Sequence, residues 1–167
     1  LENMVMFCQR EDVGAVGARL YYPDDTIQHA GVFLHPKVAA AHSYLHQSRF
    51  SPGYFGRLQV AHDVSAVTGA CLMTKRCLFD AVGGLDDKEL TVDYNDIDFC
   101  LKLRQLGKLV VFNPWVELYH YESVSRGGWD NPDNKKRWAH EREDFLYRWA
   151  SFIGERDPYF NYFLIDD

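Results

Sequence analysis

The stretch from Asp63 to Thr74 constrains the fold of this chain more strongly than any other part of it. Apolar or small side chains occupy both sets of alternate positions, namely Val64, Ala66, Ala70 and Leu72 in one set and Val67, Gly69, Cys71 and Met73 in the other. A strand with one solvated face alternates apolar and polar residues, whereas a strand covered on both faces is apolar throughout. The stretch is therefore predicted to be an interior strand of a layered α/β sheet.

Further strands are predicted upstream of this stretch. Val13–Tyr22 is a run of small and β-branched residues, which is typical of a buried strand. A turn signal at Pro23–Asp25 leads into a second strand over Ile27–Leu34, which closes a hairpin. His35–Phe50 has no sustained hydrophobic period and is predicted to be a loop.

Helices and shorter elements are predicted for the rest of the chain. The predicted helices are Leu1–Arg10, Lys75–Val82, which Gly83 and Gly84 end, Asp93–Leu106 and Lys135–Phe152. Two further strands are predicted over Lys108–Phe112 and Val116–Tyr121, separated by Pro114. Pro52–Leu58 is predicted to be irregular or helical, and Pro158–Ile165 to be an extended tail. Strands mixed with helices, without regular βαβ alternation, predict an α/β fold with a mixed sheet and flanking helices.

Composition excludes several classes of protein. Hydrophobic residues make up 47% of the chain and charged residues 25%, which excludes disordered and fibrous chains. No apolar run approaches the roughly 18 residues of a membrane span, and no signal-peptide pattern opens the chain. The net charge of -6 argues against nucleic-acid binding. The four cysteines lack paired spacing and three lie in apolar runs, which favours buried free thiols in a reducing compartment over disulfides or a zinc site.

Acidic residues are concentrated around the start of one predicted helix. Seven acidic residues and one basic residue lie between Asp80 and Asp98. Asp93 is predicted to be the N-cap, Asp96 lies at the third helical position, and Gly107 ends the helix. Asp96 therefore has two interpretations. It caps its own helix, or it is a carboxylate, favoured as an anion by the helix dipole, that accepts a proton from a substrate hydroxyl.

The same helix has a polar and an apolar face. Asp98 and Lys102 are four residues apart and are predicted to form a surface ion pair. Phe99, Cys100 and Leu103 continue the face of Asp96 and form the predicted buried side.

His120 lies at the end of a predicted strand, at a position where α/β sheets place ligand sites. A single histidine there is either a hydrogen-bonded structural residue or one ligand of a metal whose other ligands lie elsewhere. The remaining histidines considered have no metal-like spacing and are predicted to be loop or surface residues: His29, His35, His42, His46 and His62.

The segment from Arg126 to Arg137 combines several cations with glycines and Trp129. It is either a mobile loop that closes over a phosphorylated ligand or a solvated helix start anchored by the tryptophan.

Six short motifs follow one another along the chain, at Val13–Asp24, Ile27–Val32, Val64–Leu72, Val82–Asp86, Asn95–Leu103 and His120–Arg126. In sequence and spacing they resemble the bacterial family 2 glycosyltransferases of the rhamnosyltransferase-like type. The resemblance covers about Val13 to Arg126.

The resemblance implies a glycosyltransferase A fold that binds a nucleotide-sugar donor, a saccharide or lipid-linked acceptor, and a divalent cation, Mn²⁺ or Mg²⁺. It implies inverting transfer, in which Asp96 deprotonates the acceptor hydroxyl and His120 helps to ligate the cation. Asn95 stands where the family usually has glutamate. The substrate-binding residues that the resemblance implies are Asn95, Thr68, Gly69, Ser123, Ser125, Arg126 and Trp129, the last four within a loop that closes on the donor phosphates.

The resemblance also implies that the nucleotide-binding half of the domain, with an aspartate-any-aspartate metal motif, lies upstream of Leu1. Residues 1–167 are then one truncated domain, the acceptor-side half, which is inactive alone because donor, metal and base have to meet in one site. Its uncovered face is expected to drive self-association. The family further implies polysaccharide assembly in the cytoplasm, with peripheral association at the inner face of the membrane.

Two other functions remain open on the sequence. A non-catalytic carbohydrate-binding or assembly module of the same fold needs neither Asp96 nor His120, and their presence favours the enzyme. A metal-dependent hydrolase needs a second and a third ligand near His120, which the spacing does not supply.

Overall fold

The computed structural model describes residues 1–121, 131–154 and 156–161, which form an α/β fold. The strands are β1 (Val13–Tyr21), β2 (Ile27–His29), β3 (Val32–His35), β4 (Ala39–His42), β5 (His62–Asp63), β6 (Leu72–Thr74) and β7 (Leu109–Tyr119). The helices are α1 (Glu2–Cys8), α2 (Arg76–Ala81), α3 (Asn95–Gln105), α4 (Pro132–Arg148) and α5 (Ala150–Gly154), with short 3₁₀ helices over Tyr54–Gln59 and Gly69–Cys71. The predicted fold class is confirmed.

Five strands form one mixed sheet around β1. β1 pairs in parallel with β7 and antiparallel with both β2 and β6, and β5 pairs antiparallel with β7. β3 and β4 form a separate two-stranded hairpin. All nine residues of β1 are buried, as the run of small and β-branched residues predicted.

Helices cover both faces of this sheet. α1 packs Met4 and Cys8 on one face, against a cluster that includes Val111 of β7. α3 packs on the other face, where its buried residues Phe99, Cys100 and Leu103 meet Ala15, Val110 and Phe112. α4 and α5 contribute Phe145, Trp149 and Ile153 to a further cluster that contains Leu101 of α3. α3 therefore lies between the sheet and the α4–α5 layer.

The prediction of an interior strand over Asp63–Thr74 is wrong. Only the two ends of the stretch are in strands, β5 and β6, and the residues between them cross over a face of the sheet. Val67 packs directly on Gly17, where an added Cβ would lie 2.4 Å from the Val67 Cβ. Val64–Val67 on this crossing are buried outside the named strands, with an isolated bridge between Ala66 and Val32, so their composition is the same as that of an interior strand.

Three smaller predictions also differ from the structure. The second predicted strand divides into β2 and β3 at Gly31, whose φ of +93° favours glycine. The loop predicted to follow His35 contains β4. Pro114 does not end a strand, because β7 passes through it with a bulge at which the pairing with β1 jumps from Asn113 to Glu117.

Most of the predicted helices are confirmed. α1, α2, α3, and α4 with α5 correspond to the predicted helical segments. The four cysteines are free, as predicted, but only Cys8 and Cys100 are buried. Within the described part of the chain, no helix is long and apolar enough to cross a membrane.

Candidate functional site

A cavity of about 570 Å³ opens beside the start of α3. Five of the residues that the resemblance assigns to a site line it: Thr68, Gly69, Asn95, Asp96 and His120. They come from the 3₁₀ turn before β6, the first turn of α3 and the end of β7, which are far apart in the sequence. The other predicted site residues, Ser123, Ser125, Arg126 and Trp129, lie outside the described residues.

Asp96 is oriented by two backbone N–H groups from different parts of the chain. Its Oδ2 accepts a hydrogen bond from the N–H of Gly69 at 2.7 Å, and its Oδ1 accepts one from the N–H of Ile97 at 2.8 Å. The carboxylate is half-buried and faces the cavity. A helix N-terminus favours an anion at this position.

The predicted capping arrangement of α3 is wrong. Tyr94, not Asp93, is the N-cap, and no side chain caps the helix there. Tyr94 has a left-handed backbone with a φ of +64°, so that Asp96 becomes the second residue of the helix and not the third. Its carboxylate reaches across to Gly69 instead of back to the start of its own helix.

The rim of the cavity over residues 91–94 is held in place from α4. The buried Glu141 accepts hydrogen bonds from the Thr91 hydroxyl at 2.8 Å and from the N–H of Asp93 at 2.6 Å. The Tyr94 ring stacks on Phe145, with 4.8 Å between the ring centroids. These contacts fix the residues immediately before α3, so the position of the first helical turn depends on α4.

Arg137 and Trp138 also line the cavity, and neither was among the predicted site residues. Both lie on α4, which begins at Pro132, so the part of the cationic segment that the structure describes is a helix start. Arg137 lies 3.7 Å from carboxylate oxygens of both Asp93 and Glu141. The spacing of four residues between Arg137 and Glu141 was the only signal of this cluster in the sequence.

His120 has a defined tautomer. Its Nδ1 lies 2.9 Å from Gln28 Oε1, and Gln28 Nε2 donates to the carbonyl oxygen of His120 at 3.3 Å. Because the amide oxygen of Gln28 can only accept, His120 Nδ1 carries the proton. In the neutral ring Nε2 then holds the lone pair, which is the form in which a histidine binds a metal.

His29 and His42 form a second histidine arrangement beside the cavity. The prediction that His29 is a loop or surface residue is wrong, because it lies in β2 and is completely buried. Its Nδ1 lies 2.8 Å from Nδ1 of His42, which ends β4 and lines the cavity. Burial, and then the nearby His42, lower the pKa of His29 well below its usual range.

The predicted surface position of Asp98 is also wrong. The side chain is fully buried, although it was expected at the surface. It does pair with Lys102, at 2.7 Å, but it also accepts hydrogen bonds from Arg148 and from the indole N–H of Trp149, both at 2.9 Å. Asp98 therefore connects α3 to the end of α4.

Two longer proteins contain a similar sequence. The chain is 48% identical over 161 residues to the uncharacterized protein y4gI of Sinorhizobium fredii, and 32% identical over 167 residues to the O-antigen biosynthesis protein RfbC of Myxococcus xanthus. Each match covers 96% of this chain but only 18% and 12% of the two relatives, so the chain spans less than a fifth of either. No family model matches the chain.

Proposed function

We propose that this chain forms the acceptor side of a glycosyltransferase active in polysaccharide biosynthesis, as part of a longer protein. The donor is a nucleotide-sugar, and the acceptor is the hydroxyl of a saccharide or a lipid-linked saccharide. The observation that carries the proposal is the carboxylate of Asp96, which lines the cavity and is oriented by the N–H groups of Gly69 and Ile97.

Asp96 acts as the general base of this reaction. The proton of the acceptor hydroxyl passes to the carboxylate while the acceptor oxygen forms a bond to the anomeric carbon of the donor. The bond from that carbon to the nucleoside diphosphate breaks on the opposite side, so the anomeric configuration inverts. Because both carboxylate oxygens already accept backbone N–H groups, the side chain is held in place before the acceptor arrives.

His120 is the residue of this cavity that fits a divalent cation, because its hydrogen bond with Gln28 leaves the lone pair on Nε2. Such a cation would neutralise the charge of the departing diphosphate. Within the described residues, no group of three or more His, Cys, Asp or Glu side chains is arranged to hold a metal. The proposal therefore takes the remaining ligands from other parts of the longer protein.

The relatives support the setting of this reaction. A protein named for O-antigen biosynthesis contains a similar segment, and O-antigen is a polysaccharide. Since both relatives are more than five times as long as their matched segments, a nucleotide-binding half in the same polypeptide agrees with the comparison. Under the proposal, residues 1–167 supply the general base, one metal ligand and the part of the cavity that binds the acceptor.

Replacement of Asp96 by asparagine in the full-length protein tests the proposal. Asp96→Asn removes the proton acceptor but keeps the size of the side chain, so the turnover rate is expected to fall by roughly 10²–10⁴-fold. Donor affinity is expected to change by less than about threefold, since Asp96 is assigned to the acceptor hydroxyl. Release of the nucleoside diphosphate measures the rate, and calorimetric titration with the donor measures its affinity.

Asp87→Asn is the matched control, because it makes the same charge change at an exposed residue outside the cavity. Its activity is expected to equal that of the unmodified protein. Full activity of Asp96→Asn would refute the assignment of the base. If the unmodified full-length protein and both variants bind saccharide but none of them transfers sugar, a carbohydrate-binding module is the better description.

A further inference from the structure

The hydrogen-bond directions around His29 determine where its proton lies. Its Nε2 lies 3.3 Å from the backbone N–H of Gly31 and 3.4 Å from that of Thr68. Both groups can only donate, so Nε2 accepts and the proton of the neutral ring is on Nδ1. The ring is fully buried, and burial in this position keeps it uncharged.

The proton position of His29 in turn determines that of His42. His29 Nδ1–H donates to His42 Nδ1 across 2.8 Å, with the two rings arranged edge to face. In the neutral ring of His42 the proton is therefore on Nε2.

His42 and His120 consequently present opposite chemistry at the same cavity. Nε2 of His120 holds a lone pair, whereas Nε2 of His42 carries a proton. A metal requires the lone pair, so His42 in this state is a hydrogen-bond donor and not a metal ligand.

The turn at Thr68 and Gly69 connects His42 to the proposed base. The N–H of Thr68 bonds to His29, which holds His42, and the N–H of the next residue, Gly69, bonds to Asp96. The donor on His42 and the acceptor on Asp96 are thus positioned by neighbouring peptide groups. A ligand with several hydroxyl groups can donate to one and accept from the other.

The charges that line the cavity favour an uncharged ligand at this position. The ionisable groups among its described lining residues are Asp93, Asp96, His42, His120, Arg137, Tyr94 and Tyr121. Arg137, the permanent cation among them, is already close to the carboxylates of Asp93 and Glu141. An additional carboxylate on the ligand would meet the negative charge of Asp96.

We propose that His42 is a positioning residue that donates its Nε2 proton to an oxygen of an uncharged acceptor saccharide, with its tautomer set by the buried His29. This inference rests on the proposed function. It adds a second contact to the acceptor and disfavours a uronic acid as the residue bound beside Asp96.

The tautomers are tested directly by nuclear magnetic resonance of the 167-residue chain with ¹⁵N-labelled histidine. Long-range ¹H–¹⁵N spectra are expected to show a protonated Nδ1 for His29 and a protonated Nε2 for His42 at neutral pH. A protonated Nδ1 on His42, or a charged ring, would overturn the inference whether or not the protein is a glycosyltransferase.

Saccharide binding is tested on the same sample with the methyl glycosides of glucose, galactose, mannose and rhamnose, and with methyl glucuronide. At least one neutral glycoside is expected to shift His42 Nε2 together with the amide signals of Gly69 and Ile97, and the glucuronide is expected to bind more weakly. Shifts of the two amides without His42, or tighter binding of the glucuronide, would reject this inference and leave Asp96 as the base. No shift with any glycoside would count against both proposals.

Two asparagine variants distinguish loss of the His42–saccharide contact from a general effect on folding. His42→Asn keeps an oxygen that accepts from His29 but no longer reaches the position of Nε2, so glycoside affinity is expected to fall about two- to tenfold. His46→Asn is the matched control, since His46 stacks on Tyr22 and does not line the cavity. Equal affinities for the two variants, with both folded by circular dichroism, would contradict the inference.

Discussion

The two sides of the first turn of α3 treat the same kind of residue in opposite ways. On the cavity side, Asp96 is half-buried and its oxygens accept only uncharged backbone N–H groups in the contacts described above. On the packed side, Asp98 is fully buried and is paired with Lys102 and Arg148 beneath Trp149. Only Ile97 lies between them in the helix.

The difference shows which charge is available for chemistry. The charge of Asp98 is neutralised by two cations, and the network holds α4 against α3. The charge of Asp96 is oriented, no cation among the described residues pairs with it, and it faces a cavity large enough for a ligand. A buried and paired carboxylate supports the structure, whereas an oriented carboxylate in a cavity is a candidate for proton transfer.

The largest expected effect is on the packed side. Asp98→Ala leaves the buried indole N–H of Trp149 without its acceptor and two cations without their partner, so the free energy of unfolding is expected to fall by about 3 kcal/mol. Asp96→Asn is expected to lower it by about 1 kcal/mol, because one N–H group loses its acceptor. Urea denaturation followed by tryptophan fluorescence measures both.

Asp98→Asn is the control for the packed side, since it keeps an oxygen for Trp149 and removes only the charge. Asp98→Asn is expected to lower the free energy of unfolding by less than Asp98→Ala does. If Asp96→Asn destabilises the chain as much as Asp98→Ala, the contrast between the two sides does not hold.

Acid is expected to weaken the cavity side before the packed side. The pKa of His29 is lowered below the usual 6.5 by burial and by His42, so the unfolded chain binds a proton that the folded chain excludes. Its contribution to stability is complete above pH 6.5 and is lost as the pH falls below that value, by up to about 1.4 kcal/mol per pH unit. His62, whose pKa burial also lowers, adds to the same loss.

The packed side has its own acid transition at lower pH. Burial raises the pKa of Asp86, but hydrogen bonds from the N–H groups of Glu89 and Lys88 and from Arg148 outweigh it, and the net change is downward from 3.8. Its contribution is therefore present above pH 3.8 and is lost as the pH falls further. The free energy of unfolding, measured by urea denaturation at a series of pH values, is expected to fall in two steps as the pH is lowered. His29→Gln is expected to flatten the first step and Asp86→Asn the second. A single step below pH 4 would contradict the prediction that the cavity side is weakened before the packed side.

The smallest expected effect sharpens the cavity side. A methyl group added at Gly69 lies 3.4 Å from Asp96 Cβ and 3.7 Å from Oδ2, which is ordinary contact, so Gly69→Ala is expected to change the free energy of unfolding by less than about 0.5 kcal/mol. Gly17→Ala is the matched control, because its methyl lies 2.4 Å from Val67 Cβ and is expected to cost about 1–3 kcal/mol. Equal losses would mean that the turn at Gly69 is packed as tightly as the sheet.

Local pattern was sufficient to predict much of the fold. The small and β-branched run of β1 and the glycines that follow α2 and α3 specify these elements through side-chain shape and backbone freedom. The same reasoning failed at Val64–Val67, which are buried but lie outside the named strands, because apolar composition reports burial and not hydrogen-bond partners. Which strand a buried segment pairs with depends on residues far away in the sequence.

The candidate site was predicted only in part, for a related reason. Asp96 and His120 were identified by their motifs, and the structure places both at one cavity. Glu141 and His29 were missed because their roles come from distant contacts, with the backbone at Asp93 and with Thr68 respectively. A single glutamate on a helix and a single histidine after a turn carry no local sign of such contacts.

What the sequence determined by itself was the identity of most elements and the acidic start of α3, since backbone preference and hydrophobic period act within a few residues. What only the tertiary structure decided was the use of each charge. Asp96 and Asp98 have the same side chain in the same helical turn, and their difference arises because the turn at Gly69 lies on one side and α4 on the other. Solvation and electrostatic pairing depend on neighbours in space, and those neighbours are set by the packing of the whole chain.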